Sequence, residues 1–130
     1  MLNTQTATTP KWMLWTGWIV SALPVLMLLM SGAMKLAKPA FMLEQLEHLQ
    51  WPESLLLGIG ITEMACAIIY AIPQTAVLGA ILVTGYLGGA IATHLRIGDP
   101  FFGPIVPAVL AWIGIFLREP RLRAVLPWRR

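Results

Sequence analysis

Four long runs of apolar residues dominate the chain, and their length predicts helices that cross a membrane. The runs cover residues 12–36, 54–72, 75–95 and 101–117. Each approaches the roughly 20 apolar residues that a transmembrane helix needs. Their only charged residues are Lys35, at the end of the first run, and Glu63, inside the second. We therefore predict an all-α integral membrane protein, an antiparallel four-helix transmembrane bundle that forms one domain over residues 1–130.

The stretch between the first two runs, residues 39–51, has a different pattern. Met42, Leu43, Leu46 and Leu49 recur on one helical face, with polar residues on the other. This predicts a short amphipathic helix that lies in the membrane interface or over the end of the bundle. Two roles fit such a helix: a lid over a pocket, or a linker that keeps its apolar side out of water. The linker is the simpler interpretation and the one we favour.

Composition excludes the common soluble classes. Hydrophobic residues make up 58% of the 130 residues and charged residues only 12%, whereas an average soluble domain has about 25% charged residues. Cys66 is the single cysteine, which excludes an intrachain disulfide and a CxxC redox pair. The sequence has no zinc-ligand spacing, nucleophile elbow or nucleotide-binding glycine motif. No metal and no cofactor is therefore indicated by a motif, and whether the protein is an enzyme stays open.

The basic residues predict the orientation in the membrane. With four spans both termini lie on one side, and that side holds six basic residues against three on the other: Lys11, Arg118, Arg121, Arg123, Arg129 and Arg130 against Lys35, Lys38 and Arg96. By the positive-inside rule the termini are cytoplasmic, in a bacterial plasma (inner) membrane. Residues 118–130 form a basic tail that faces anionic lipid rather than nucleic acid. A tryptophan belt is expected on the same side, from Trp12, Trp15, Trp18 and Trp128.

Glu63 is the most informative single residue. It lies ten residues after Glu53, about 15 Å along a helix, where an ionisable side chain marks a functional site by default. A carboxylate there needs a nearby cation or a hydrogen-bond donor, because charge is unfavourable in hydrocarbon. Helical spacing aligns it with other polar side chains, and span three offers two hydroxyls as partners. The predicted intramembrane polar site is Glu63, Cys66, Tyr70, Thr84 and Tyr86; a purely structural hydrogen bond between helices is the alternative.

Further polar groups collect at the outer ends of the spans. We predict an outer-mouth site of Lys35, His94 and Arg96, and we favour a Lys35 side chain that extends outward to the membrane surface. Span three is also rich in small residues. Gly85, Gly88 and Gly89 follow the small-xxx-small spacing that lets transmembrane helices approach closely. We therefore predict that these three glycines pack helices together.

Several segments resemble the DoxX-like family of small four-helix membrane proteins. They are Ser31-Gly-Ala-Met-Lys35-Leu, Glu63, Thr84-Gly-Tyr-Leu-Gly-Gly89 with His94-Leu-Arg96, and Phe116-Leu-Arg-Glu-Pro-Arg-Leu-Arg123 with Leu126-Pro127. The resemblance covers residue 20 to the end. It implies a bundle of four transmembrane helices; the founding member is linked to thiosulfate:quinone oxidoreductase as a membrane subunit, and other members are partners of oxidative-stress enzymes. The architecture is also loosely similar to that of quinone-linked thiol enzymes, but this chain cannot share their chemistry, since one cysteine cannot cycle a disulfide.

The sequence is compatible with three functions. The first is a non-catalytic membrane subunit or anchor of an oxidoreductase, with a quinone-sized cavity in which Glu63 bears a proton. The second is an assembly or interaction protein with no redox role, and a small-molecule carrier ranks below both. The expected partners are the lipid bilayer, an oxidoreductase protein and a second copy of the chain, but no nucleic acid.

Overall fold

The computed structural model describes residues 9–126, and these form helices joined by short turns. The helices are α1 (Lys11–Ala37), α2 (Ala40–His48), α3 (Leu56–Ala71), α4 (Ala76–Arg96), α5 (Phe102–Arg118) and the short α6 (Pro120–Arg123). Single 3₁₀ turns, Glu53–Leu55 and Pro73–Thr75, lead into α3 and α4. No strand occurs within the described residues. The predictions for Trp128, Arg129 and Arg130 lie outside this range.

The four apolar runs correspond to α1, α3, α4 and α5, and the amphipathic segment to α2. Three helical stretches are long and apolar enough to cross a membrane: Lys11–Ala37, Glu53–Ala71 and Pro73–Arg96. The fourth, Phe102–Arg118, is apolar but has only 17 residues. Large apolar side chains cover the outside of the helices, among them Trp15, Leu26 and Ile81. The prediction of an all-helical membrane protein is therefore confirmed at this level.

The four long helices pack in a ring. α1 packs against α3 and α5, and α4 packs against the same two helices from the other side. Their shared core is apolar, and its most buried members include Ala67, Val83, Ala111 and Ile115. Because these four side chains are small or of medium size, the helices pack closely and shield the polar groups between them from the surroundings.

Glycines form the closest helix contacts, but they are not the glycines that the sequence pattern indicates. A methyl group on Gly79 would collide with the backbone of Tyr70, and one on Gly114 would collide with Ser21. In contrast, Gly85, Gly88 and Gly89 are exposed, and a methyl group on any of them would meet nothing within 4 Å. The prediction that these three glycines pack the helices is therefore wrong within this chain. They lie on the sides of α4 that its neighbours leave uncovered.

Candidate functional site: a polar cavity under helix α2

A cavity of about 610 Å³ lies at one end of the ring, where α1 and α4 end and α3 and α5 begin. Its size is in the range of small-molecule sites, roughly 300–1,000 Å³. The walls are mostly apolar and include Leu28, Ile59 and Leu87. Polar atoms enter from α1, α3 and α4, so the cavity combines an apolar body with a few hydrogen-bonding groups.

A buried ion pair between Lys35 and Glu63 lines this cavity. Lys35 Nζ lies 2.7 Å from Glu63 Oε2 and also donates to Ser31 Oγ at 2.7 Å. The Glu63 side chain is only 4% exposed and that of Lys35 18%. The expectation that Lys35 extends outward is therefore wrong: its side chain turns inward and connects α1 to α3. The cation removes the cost of a lone carboxylate in an apolar setting, which explains why Lys35 takes this direction.

α1 and α3 pack closely enough for the Lys35 side chain to reach the Glu63 carboxylate. A methyl group on Gly60 would come within 3.1 Å of Lys35 Cβ and within 3.0 Å of the Gly32 carbonyl oxygen. Because both helices carry glycine at their contact, the backbone of α1 lies against α3 one turn before Glu63. The lysine stem then spans the short remaining distance to the carboxylate.

Of the other residues of the predicted intramembrane site, Tyr86 and Cys66 lie near Glu63, whereas Thr84 and Tyr70 do not. Tyr86 lines the same cavity as Glu63. Cys66 is a buried free thiol one turn further along α3. Thr84 does not contact Glu63: its hydroxyl donates to the Ala80 carbonyl at 2.7 Å and accepts from Trp112 Nε1 at 2.6 Å. It therefore faces α5, so of the two hydroxyls offered as partners of Glu63, that of Thr84 is directed elsewhere.

Tyr70 belongs to a second buried polar cluster near the other end of the ring. Its hydroxyl donates its one hydrogen to the Ala111 carbonyl at 2.7 Å, and its oxygen lies 3.0 Å from Ser21 Oγ, whose own hydroxyl can donate to it. Arg118 donates to the same Ser21 oxygen at 3.0 Å, and its guanidinium lies 4.3 Å from the centre of the Trp18 ring. Tyr70 therefore does not share the site of Glu63, from which it is seven residues away, about 10 Å along α3.

Arg118 is a buried residue that the sequence analysis assigned to the exposed basic tail. It is only 9% exposed and connects α5 to α1 and α3. Its burial follows the helical spacing, because Ala111, Gly114 and Arg118 recur on the buried face of α5. A positive-inside count treats every arginine near a span end alike and does not distinguish a buried one.

α2 and the α3–α4 ends form the roof and rim of the cavity. Met42 and Leu46 of α2 are buried against Leu56 and line the cavity. At the rim, His48 Nε2 lies 2.8 Å from Asp99 Oδ1, and Arg96 donates to the Leu49 carbonyl. These contacts hold the C-terminal end of α2 against the end of α4. The linker interpretation of this segment is therefore incomplete, because the helix covers the cavity.

His94 and Arg96, the other two residues of the predicted outer-mouth site, occupy different positions relative to the cavity. His94 lines the cavity, and its Nδ1 lies 2.7 Å from the Ala90 carbonyl oxygen. A carbonyl only accepts, so Nδ1 carries the hydrogen, and Nε2 of the neutral ring is left as an acceptor. Arg96 stays on the rim, with its guanidinium 5.9 Å from the centre of the Trp51 ring. Of the predicted outer-mouth set, Lys35 and His94 thus line the cavity with Glu63, whereas Arg96 does not.

The polar groups of the cavity leave one hydrogen-bond donor of Lys35 without a protein partner among the residues that the structure describes. Within residues 9–126 no cluster of three His, Cys, Asp or Glu side chains is arranged to hold a metal. The buried side-chain nitrogen and oxygen atoms of the same range all have hydrogen-bond partners. One hydrogen of the Lys35 ammonium is not used by Glu63 or Ser31, since the group carries three. It remains available to a ligand acceptor.

Comparison with known proteins gives one match. The model of the DoxX-like family matches residues 19–117, which include every residue that lines the cavity. No curated protein and no solved structure matches the chain. The matched range covers the Lys35–Glu63 pair and the glycine-rich part of α4, but it ends at residue 117 and so omits most of the closing segment Phe116–Pro127 on which the resemblance also rests. The chain belongs to the DoxX-like family.

Proposed function

We propose that this protein is a non-catalytic membrane subunit of an oxidoreductase and that its cavity holds the head group of a quinone. The observation that carries the proposal is the buried Lys35–Glu63 pair in the wall of an otherwise apolar cavity of about 610 Å³. A quinone when bound supplies the transfer of electrons and protons to and from the membrane pool. The family resemblance, which implies a membrane subunit of a thiosulfate:quinone oxidoreductase, points in the same direction.

The chain's own groups fit such a head group. The third hydrogen of the Lys35 ammonium offers a donor to a carbonyl oxygen, and the Tyr86 phenol offers a second. His94 Nε2 offers an acceptor to a hydroxyl. Apolar side chains such as Leu28 and Ile59 exclude water around these groups. The residues thus bind, orient and desolvate an uncharged head group, while Glu63 keeps the Lys35 side chain directed into the cavity.

The proposal includes an arrangement of four antiparallel spans with both termini in the cytoplasm of a bacterium. α5 has 17 residues, about 25 Å of helix, which is slightly short for a hydrocarbon core of about 30 Å. Its packing against both α1 and α4 favours a spanning position, because its other side chains would otherwise lack lipid or protein contacts.

The quinone-binding step is testable with a double variant that keeps the charge balance. Lys35→Met/Glu63→Gln removes the ammonium donor without leaving a lone buried charge. We expect tagged wild-type protein, purified in mild detergent from native membranes, to retain extractable quinone, and the double variant to lose it. The same purification, examined by mass spectrometry, should recover an oxidoreductase with the wild-type protein.

The chain provides a matched control for this experiment. Lys38 and Glu53 form an exposed ion pair at the same end of the molecule, 4.0 Å apart and outside the cavity. Lys38→Met/Glu53→Gln changes the same residue types, and its retained quinone should equal that of the wild type. If the wild-type protein retains no quinone and binds none when it is added, the proposal fails.

An assembly or interaction protein is a second candidate, and one observation favours it. The surface of α4 around Gly88 and Ala92 consists of small apolar residues, and none of the described residues 9–126 covers it. Such a surface suits a close contact with another transmembrane helix. In this case Lys35→Met/Glu63→Gln changes stability in detergent but leaves partner recovery and quinone content alike in variant and wild type.

A further inference from the structure

We infer that the cavity opens sideways into the bilayer between α3 and α4, and that its ligand is a quinone with a long apolar tail that leaves through this opening. The inference rests on the proposed function, since it concerns the ligand of the same cavity. It adds a ligand class, long-tailed and lipid-soluble, and a route of entry from the membrane rather than from water.

The lining of α4 shows that the cavity is not closed between the helices. Successive residues of a helix are about 100° apart. Leu87, Ala90 and His94 line the cavity from the inner face of α4, but Gly85 and Gly89 line it too. Gly85 lies about 200° around the helix from Leu87. A cavity enclosed by the ring would contact one face of α4 only, so this one extends around the flank of the helix.

The flank concerned is the one that faces α3. Tyr86, Gly89 and Thr93 recur along it at helical spacing, and Ile59 and Glu63 line the cavity from α3. The two helices touch near their connecting turn, where Gly79 lies against the backbone of Tyr70. Nearer to α2 a side chain added at Gly89 would meet nothing. α3 and α4 therefore separate with distance from the turn, and the gap between them is open at Gly89.

A second, shallower groove extends this opening along the same flank. It has a volume of about 350 Å³, and it shares Trp51 and Thr93 with the main cavity. Its other members, Gln50, Ala92 and Arg96, lie nearer to the end of α4. Gly89 is seven residues from Arg96, about 10 Å along the helix, so the opening lies at the depth of the lipid chains. The groove continues the cavity along α4 toward Arg96 at the rim, whereas the opening itself lies deeper, at Gly89.

The other sides of the cavity are less open to a tail. α1 and α3 are in contact at Gly32 and Gly60. α4 and α5 are joined by the Trp112–Thr84 hydrogen bond of 2.6 Å. α2 covers the end, with Met42 and Leu46 buried. A head group seated beside Lys35 thus has its tail directed between Ile59 and Gly89.

Filling the gap should separate tailed from tailless ligands. We expect Gly89→Leu to weaken binding of a decyl-tailed benzoquinone by about tenfold or more, because the leucine side chain would occupy the space that the tail needs. Binding of the tailless benzoquinone should be unchanged. Both affinities are measured by titration of the purified protein in lipid nanodiscs. A photoreactive group placed in the tail should also label peptides of α3 and α4 in the wild-type protein.

Gly88→Leu is the matched control. Gly88 is the neighbouring residue, is equally exposed and uncrowded, and does not line the cavity. It should bind both probes like the wild type. Equal binding of the tailed probe by Gly89→Leu and wild type, or equal weakening by Gly89→Leu and Gly88→Leu, would overturn the sideways opening and leave the proposed function standing. Failure of the wild-type protein to bind either probe would overturn both.

Discussion

Lys35→Met is expected to lower the free energy of unfolding by about 3–5 kcal/mol, the cost of leaving one member of a buried ion pair without its partner. Glu63 is 4% exposed on its side chain and accepts from Lys35 at 2.7 Å. Without the ammonium, the carboxylate has no cation within the cavity wall. The double variant Lys35→Met/Glu63→Gln should recover most of the loss, since it removes the charge that would be stranded. Reversible unfolding in detergent measures all three proteins.

The exposed Lys38–Glu53 pair again provides the comparison. Its atoms are 4.0 Å apart and both side chains are largely exposed, so Lys38→Met should change stability by no more than about 1 kcal/mol. The two single lysine variants thus differ mainly in burial. Equal stability of Lys35→Met and its double variant would contradict a coupled pair and would mean that Glu63 does not depend on Lys35.

Gly79→Ala is expected to destabilise the protein by about 1–3 kcal/mol or more, the cost of overpacking a tight contact. The added methyl group would meet the backbone of Tyr70, which cannot rotate away as a side chain can. Gly88→Ala, in the same helix, should instead be neutral or stabilising by about 0.5–1 kcal/mol, because alanine is the better helix former. Unfolding midpoints in the same detergent give the comparison.

The difference in stability between Gly79→Ala and Gly88→Ala tests the contact between α3 and α4. A Gly79→Ala protein as stable as Gly88→Ala would show that α3 and α4 are not in contact at Tyr70. That result would also remove one support for the inferred opening, since the two helices would not diverge from a fixed point.

The helices themselves could be predicted from the sequence because their cause is local. A run of apolar residues long enough to cross the hydrocarbon must satisfy its own backbone hydrogen bonds, and a helix does this alone. The run predicted at residues 54–72 forms the 3₁₀ turn and α3, ending at Ala71. The spacing of Met42 and Leu46 likewise predicts α2, whose apolar face is buried. In each case the signal lies within one segment.

The choice among glycines could not be predicted, because a glycine packs only where another helix arrives. Gly79 and Gly88 lie in the same helix and in similar apolar surroundings in the sequence. The first lies against Tyr70, whereas the second is open. Which one is covered depends on the rotation of α4 relative to α3 and α5. That rotation is a property of the assembled ring.

The same holds for the site. The sequence by itself determined the class of protein, its apolar helices, the amphipathic segment and the presence of an ionisable residue within a span. Only the tertiary structure decided that Lys35 turns inward to Glu63 and that Tyr70 and Arg118 form a separate cluster. The physical reason is that hydrophobic length acts within a segment, whereas a buried charge is stabilised by whichever partner another helix brings within reach.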